Sequence, residues 1–374
     1  MRLLDKLVLK DLIPWFGMGV AMFTALYFAA DPVLVASRYL SAGVPLPVVL
    51  HIIGLYLPRV LALTLPMGML LAVLLGFGRL SGDSEAVAIF AGGIPFLRAA
   101  APAAAMGLVA SLVGYVVNDK VTSAANAQIA ALQEQIGTIV HGAGQTDQPY
   151  HFEDRKDGKL QATVQVEHGI DPRGKDIAVR DVTVTQFNNG QPVVVFHADR
   201  GVWRGGSSWQ LINVTAYYLA GEVPYKVAGK DGTTEELGLT ALEKTPEEMQ
   251  LLHRDPNTLD FATTRRQIAL LRANGTKPAD VRSAEMDLWS KLAFPFASLV
   301  FTVIGAPLGL RPQRSSKYTG YFLAILIIFG YYVLYTTLGN IARGGGVPPA
   351  LAAFLPDLIG LALGGALVWR ASRS

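Results

Sequence analysis

The sequence contains no cysteine. That excludes disulfides, thiolate metal sites and cysteine nucleophiles. Histidine is scarce: His51, His141, His151, His168, His197 and His253 are the six in 374 residues, and none stands at metal-ligand spacing. No metal site or cofactor is expected; His151 and His197, read as lying on neighbouring strands, could bind an ion, but solvated strand histidines are far commoner. There is no G-x-x-x-x-G-K-[ST] run, so the chain has no standard phosphate-binding loop and is not expected to hydrolyse ATP. H-E-x-x-H and G-x-S-x-G are absent too, and no catalytic residue is assigned. Charged residues make up only 16% of the chain and the net charge of +3 is spread through loops, which gives no footprint for nucleic acid.

Apolar residues, by contrast, make up 51%, too many for an ordinary soluble chain of this length. Crossing a hydrocarbon core of about 30 Å takes roughly 20 apolar residues as helix. Six windows meet that length: 11–30, 47–78, 99–118, 290–310, 319–339 and 348–369. Arg2, Lys6 and Lys10 precede the first window as they would a signal peptide. Its apolar stretch exceeds the usual h-region and Tyr27–Asp31 lacks a small-x-small cleavage pattern, so it is expected to persist as span 1. The second window is over-long and contains Pro58 and Pro66, which predicts a kink or a protrusion.

With the N-terminus inside, the short inner loops and ends hold Arg2, Lys6, Lys10, Arg79, Arg98, Arg311, Arg314, Lys317, Arg370 and Arg373, against Arg38 and Arg343 outside. That asymmetry follows the positive-inside rule and places both termini inside and the long middle segment outside. The middle segment changes register: Leu160–Val166, Ile177–Phe187, Val193–His197 and Trp209–Leu219 are short runs rich in Val, Thr, Tyr and Phe. Asn188-Asn189-Gly190, Asp171-Pro172-Arg173-Gly174 and Lys230-Asp231-Gly232 read as the turns of an antiparallel sheet, whose open edges can accept a partner's strand or simply be blunted. Val121, Ala125, Ile129, Leu132, Ile136 and Val140 predict that helix 3 continues as an amphipathic rod. A return helix over about 259–272 ends at Asn274-Gly275, and Pro278 opens the helix leading into span 4. The fold class is an α-helical polytopic membrane protein of six transmembrane helices with an inserted antiparallel β domain. Its parts are 1–118, 119–289 and 290–374.

Between spans 2 and 3 lies Arg79–Pro95. Asp83 and Ser84 suit a helix N-terminus, Gly92-Gly93 can close it and Pro95 prevents continuation, giving a helix of about nine residues within 81–93. Val87, Phe90 and Ala91 form an apolar face with Glu85 at its exposed start. Such a face suits either a groove on another protein or the lipid surface. Near membrane depth, Arg38 and Arg59 suit the phosphates of a glycolipid, or snorkel to ordinary headgroups. Tyr321, Tyr331, Tyr332 and Tyr335 read as an interfacial belt, and Gly305, Pro307 and Gly309 as a site of close helix packing.

The runs Leu65-Pro66-Met67-Gly68, Gly78-Arg79-Leu80, Asp83-Ser84-Glu85 and Ala91-Gly92-Gly93-Ile94 resemble the second span and coupling helix of the lipopolysaccharide-export permease family. Asp287–Pro295 resembles that family's start of span 4, and Gly346-Val347-Pro348-Pro349 with Phe354-Leu355-Pro356 its start of span 6; these lean slightly towards the G-like rather than the F-like subunit. After span 3, where many relatives have proline, this chain has Asn118-Asp119-Lys120-Val121. The resemblance implies a permease that pairs with a second permease subunit of the family in the bacterial inner membrane. A soluble ATP-binding-cassette ATPase dimer docks on the coupling helix, and lipopolysaccharide passes along a jellyroll-like periplasmic domain to a jellyroll-type bridge protein. Glu85 is then the acid that meets the ATPase, with Arg79, Asp83 and Phe90 beside it, Arg38 and Arg59 contact the lipid, and spans 1 and 5 of opposing subunits form a lateral gate. Another envelope glycolipid as cargo, or a non-transporting envelope scaffold, are the alternatives.

Overall fold

The computed structural model describes residues 3–141, 150–156, 159–171, 178–188, 190–205, 208–219, 225–234, 236–237, 245–310 and 318–373. The chain divides into two compact units: Met1–Leu132 with Asn257–Phe261 and Arg282–Ser374, and Gln133–Pro256 with Ala262–Val281.

The first unit is helical. Its elements are α1 (Leu3–Ala30), α2 (Pro32–Ser41), α3 (Leu46–Gly82), α4 (Glu85–Ala91), α5 (Phe96–Val116), and the first part of α6 (Ser123–His141), joined to α5 by a π-helical turn over Val117–Thr122. After the sheet come α7 (Pro246–His253) and α8 (Phe261–Ala273), which belong almost wholly to the second unit, and then α9 (Pro278–Gly309), α10 (Tyr318–Gly344) and α11 (Pro349–Ala371), which return to the first. Six helical stretches are long and apolar enough to cross a membrane, and the protein is an integral membrane protein. The central one is α3: 72% of its most apolar window is buried, against 17% for the first span. At 37 residues it is about 55 Å long at 1.5 Å per residue, and it runs unbroken past Pro58 and Pro66.

Lipid tails are as apolar as leucine, so helices in a membrane associate by close packing rather than by escape from water. The contacts of α3 follow that rule. A Cβ on Gly68 would lie 2.6 Å from Val20 Cγ2 and 2.9 Å from Val20 N on α1. A Cβ on Gly309 of α9 would lie 2.7 Å from Phe77 Cβ and 3.0 Å from the Val73 carbonyl, and one on Gly305 3.2 Å from Leu70, as the Gly305–Gly309 pattern predicts. A hydrogen bond of 3.0 Å between the Thr24 and Thr64 hydroxyls adds a polar tie to the α1–α3 seam.

The tyrosines of α10 are not a belt. Tyr331 is buried and its hydroxyl donates to Asp357 Oδ1 on α11 at 2.9 Å. Tyr332 donates to the Leu63 carbonyl on α3 at 3.3 Å, and Phe294 of α9 meets the Tyr332 and Tyr335 rings edge-on at 5.6 Å. Only Tyr321 lacks such a tie among these, packing at the rim of the Leu70–Phe301 cluster. The sequence shows tyrosines on an apolar helix without showing which face meets its neighbours, and a buried hydroxyl needs a partner that only packing supplies.

The π turn explains another difference. Ala125 and Ile129 are buried, but Val121 is 46% exposed. A π turn inserts an extra residue into the helix, so the phase counted back from Ala125 no longer holds at Val121. The side chains of Ile136 and Val140 lie outside the described residues.

The second unit holds a six-stranded sheet: β1 (Tyr150–Lys156), β2 (Lys159–Asp171), β3 (Ala178–Asn188), β4 (Gln191–Gly205), β5 (Ser208–Tyr218) and β6 (Tyr225–Thr233). Every neighbouring pair is antiparallel and the strands follow chain order. The expected antiparallel insertion is thus built as a meander. Alternate residues make its core, with Val164, Val166, Val182, Val184, Phe196, Ala198, Trp209, Leu211 and Val214 buried. Asn188 pairs with Gln191 to close the β3–β4 hairpin. The expected turn at 172–174, like the inner-loop cations Arg2, Arg311, Arg314 and Lys317, lies outside the described residues. Lys230-Asp231-Gly232 is not a turn but part of β6: Asp231 Oδ1 accepts the Asn213 N–H at 2.8 Å where the β5–β6 register shifts. His151 on β1 and His197 on β4 are separated by β2 and β3, so they are not neighbours. In the same unit α8 ends as its Asn274-Gly275 signal predicts, with Gly275 at φ 62° and its N–H bonded to the Arg272 carbonyl.

The α1–α3 crossing yields a prediction. Gly68→Val should lower stability by about 1–3 kcal/mol through overpacking, seen as a lower midpoint of thermal unfolding in detergent. Gly54→Ala, with nothing within 4 Å of the new Cβ, should leave that midpoint unchanged.

Candidate functional site

The helical unit carries two groups of polar residues, one at the α4 end of α3 and one towards its other end. At the first, α3 finishes with Arg79 in its last turn and Asp83 as its C-terminal cap residue. Arg79 Nη1 donates to Asp11 Oδ1 of α1 at 2.7 Å, and Arg79 Nε donates to Asp83 Oδ2 at 3.2 Å. Arg98, at the start of α5, pairs with Asp5 of α1 at 2.7 Å. Arginine forks thus hold the start of α1 to both helices that flank α4.

The expected helix is present but shorter, seven residues rather than nine. Ser84 takes the N-cap position at φ 63° with no side-chain cap bond, and the Asp83 carboxylate is occupied by Arg79 instead of the α4 N-terminus. The other end closes as its glycines predict: Gly93 N–H bonds to the Phe90 carbonyl and Ile94 N–H to the Ile89 carbonyl, with Gly93 at φ 77°. This is a Schellman closure, which needs a left-handed residue that glycine adopts without strain. Ala86 is buried, while Val87 is 57% and Phe90 37% exposed. Glu85 is half-buried rather than fully exposed and lies within electrostatic reach of Arg79. The structure therefore brings Arg79, Asp83 and Glu85 together, with an apolar face of Val87 and Phe90 beside them.

At the other group, Arg38 stands in the last turn of α2 and Arg59 beside Pro58 on α3; both are exposed. Neither forms an ion pair among the described residues. Arg59 opens onto a cavity of about 240 Å³ that Lys291, Asp287, Arg343, Asn126 and Tyr335 also line. Arg38 is not among the residues that line it.

Sequence reasoning missed the polar node next to this cavity. At Asn118–Val121 the π turn presents its side chains to the segment 257–261. Asp119, buried, accepts the Phe261 N–H at 2.6 Å, and Lys120 Nζ meets Asp260 Oδ2 at 2.6 Å. Ser123 Oγ donates to the Leu259 carbonyl at 2.7 Å and Asn126 Nδ2 to the Asn257 carbonyl at 2.9 Å. Lys291 of α9, also buried, donates to the same Leu259 carbonyl at 2.8 Å. Charges at Asp11, Asp119, Lys291 and Asp357, inside or bordering apolar helices, were the available signal, because such charges are costly unless partnered. Their partners lie far away in sequence and could not be read.

The sequence matches the family described as Lipopolysaccharide export system permease LptF/LptG over residues 6–370. It is also similar to the Lipopolysaccharide export system permease protein LptG of Escherichia coli strain K12, 22% identical over 307 residues that cover 81% of this chain and 80% of the relative. The protein of the same name from Escherichia coli O6:H1 gives the same identity and coverage.

The node separates two costs. Asp119→Ala strands the Phe261 N–H and should destabilise by about 1–3 kcal/mol, with faster amide exchange over 257–261. Lys120→Ala removes only a solvent-screened, exposed pair and should leave stability nearly unchanged.

Proposed function

Because this chain belongs to the LptF/LptG family of lipopolysaccharide export system permeases, we propose that it is one permease subunit of an ATP-driven exporter whose ATPase is a separate, soluble cassette dimer. The observation that carries this is the α4 end: an exposed Val87–Phe90 face beside Glu85, attached through Arg79 to both α3 and α1. A soluble motor seated on that face would push on a short helix whose neighbours are tied by charge-assisted bonds, so displacement passes into α1 and the central α3 rather than dissipating in a loop. Val87 and Phe90 supply the apolar contact, and Glu85 offers a carboxylate to a basic group of the motor. Asp83 and Arg79 hold the joint.

In this reading the α4 end and both termini are cytoplasmic and the sheet unit is periplasmic, in the bacterial inner membrane. A second permease of the family faces this chain, and a jellyroll-type bridge protein continues the sheet. Lipopolysaccharide offers phosphates to Arg38 and Arg59, which form no ion pair among the described residues and present guanidinium groups suited to bidentate contact. The chain itself contributes passage and coupling, and hydrolysis belongs to the separate ATPase.

Two variants test the two halves independently. Glu85→Arg should abolish copurification of the ATPase and lipid-stimulated ATP turnover while leaving the folded permease intact; normal association refutes the docking assignment. Arg38→Glu and Arg59→Glu should each reduce photo-crosslinked glycolipid several-fold, and unchanged yield refutes the headgroup assignment. Mass spectrometry of the crosslinked lipid distinguishes lipopolysaccharide from another envelope glycolipid, and a scaffold would release no lipid on ATP addition.

A further inference from the structure

The sheet unit contains a cross-strand row of polar groups that the export reading does not use. Asp181 on β3 stands opposite Asp199 on β4, between the pairs Arg180↔Arg200 and Val182↔Ala198. Asp199 in turn stands opposite Asn213 on β5, between Arg200↔Ile212 and Ala198↔Val214. His197 is two residues from Asp199 on the same strand and therefore on the same face. The imidazole and both carboxylates each offer a donor atom, and these three atoms lie within 4.8 Å of one another.

Two carboxylates facing each other across a ladder are destabilising, and the backbone at this level departs from ordinary strand geometry. Asp181 has φ 52° and Asn213 φ 57°, a left-handed conformation that costs a non-glycine residue of order 1 kcal/mol or more in a strand. The groups behind the donors are held in place. Thr183 Oγ1 lies 3.2 Å from His197 Nδ1, leaving Nε2 on the side of Asp199, 3.9 Å from its Oδ1. The other Asp199 oxygen accepts from Asn213 Nδ2 at 2.5 Å, and Asn213 N–H is anchored on Asp231 at 2.8 Å. One ring nitrogen of the histidine and one oxygen of Asp199 are thus engaged by supporting partners while the remaining donors converge, which is how metal ligands are oriented in proteins.

We infer that Asp181, His197 and Asp199 form a binding site for a divalent transition-metal ion such as zinc. One imidazole with two carboxylates suits borderline ions better than calcium, which takes six to eight oxygens. Zinc holds nitrogen and carboxylate oxygen at about 2.0–2.2 Å, so the donors close by about 1 Å on binding, a movement within reach of the exposed Asp199 side chain. Three protein ligands leave at least one position for water, making the site open and exchangeable. The ion would neutralise the facing carboxylates and cross-link β3 to β4 in the middle of the sheet.

The test uses the purified full-length protein in detergent, freed of any histidine tag. After equilibration with zinc chloride and desalting, elemental analysis should find about one bound zinc per chain, and competition with a fluorescent chelator gives its affinity. His197→Gln and Asp199→Asn should each weaken binding by at least about tenfold. Asn213→Gly keeps the left-handed backbone and removes only the supporting amide, and Thr183→Val removes only the bond to Nδ1; each should weaken binding by about tenfold. No zinc retained by the wild type, or equal affinity in His197→Gln and Asp199→Asn, overturns the assignment. If those two variants do not fold, unchanged affinity in both Asn213→Gly and Thr183→Val overturns it instead.

Discussion

Close approach of helix backbones to α3 is the constraint on which the helical unit rests. In a lipid environment there is little gain from hiding one leucine against another, so association depends on how many atoms come into van der Waals contact. Gly68 admits α1 and Gly305 with Gly309 admit α9, each at distances that leave no room for a side chain. Once these contacts are made, the large residues of α3 fall into place: Leu70, Leu71 and Leu74 pack with Phe301 and Tyr331, and Val73 and Phe77 pack with Val8, Leu12 and Ala306. The breadth of these contacts makes α3 the element that the two polar groups share.

Polar ties then set direction. At the α4 end arginines reach across to acids of α1, and α4 projects its apolar face where the helices are most firmly joined. Towards the other end of α3, tyrosine hydroxyls and the buried Lys291 satisfy carbonyls and a carboxylate that packing alone would strand. The π turn belongs to this second set: by adding a residue at Val117–Thr122 it directs Asp119 at the Phe261 N–H. A change of helix phase and a set of hydrogen bonds are therefore one device.

The sheet unit follows different physics. Its alternating Val, Phe and Trp residues bury one face, and register is protected because a slip of one residue would expose them all. Against that regularity the left-handed Asp181 and Asn213 are exceptions on β3 and β5, the two strands that flank β4. At that level of the sheet Asp181, His197 and Asp199 converge, with Thr183 and Asn213 holding the imidazole and one carboxylate.

Six spans, the inserted antiparallel sheet, the short helix after α3 and its glycine closure were legible in the sequence, because each rests on local rules: apolar length, strand alternation, turn and cap chemistry. The strand β6 was not, because its Lys230-Asp231-Gly232 reads as a turn, and neither was α7. Charge partners were equally hidden. Arg79 reads as an inner-loop cation until α1 supplies Asp11, and Lys230-Asp231-Gly232 reads as a turn until Asn213 claims the carboxylate. Local propensity depends on neighbours in the chain, so the sequence by itself determined what kind of element each segment becomes. Only the tertiary structure decided which side chains meet, because those encounters join residues tens to hundreds of positions apart through the helix phase, strand register and close contacts of the folded whole.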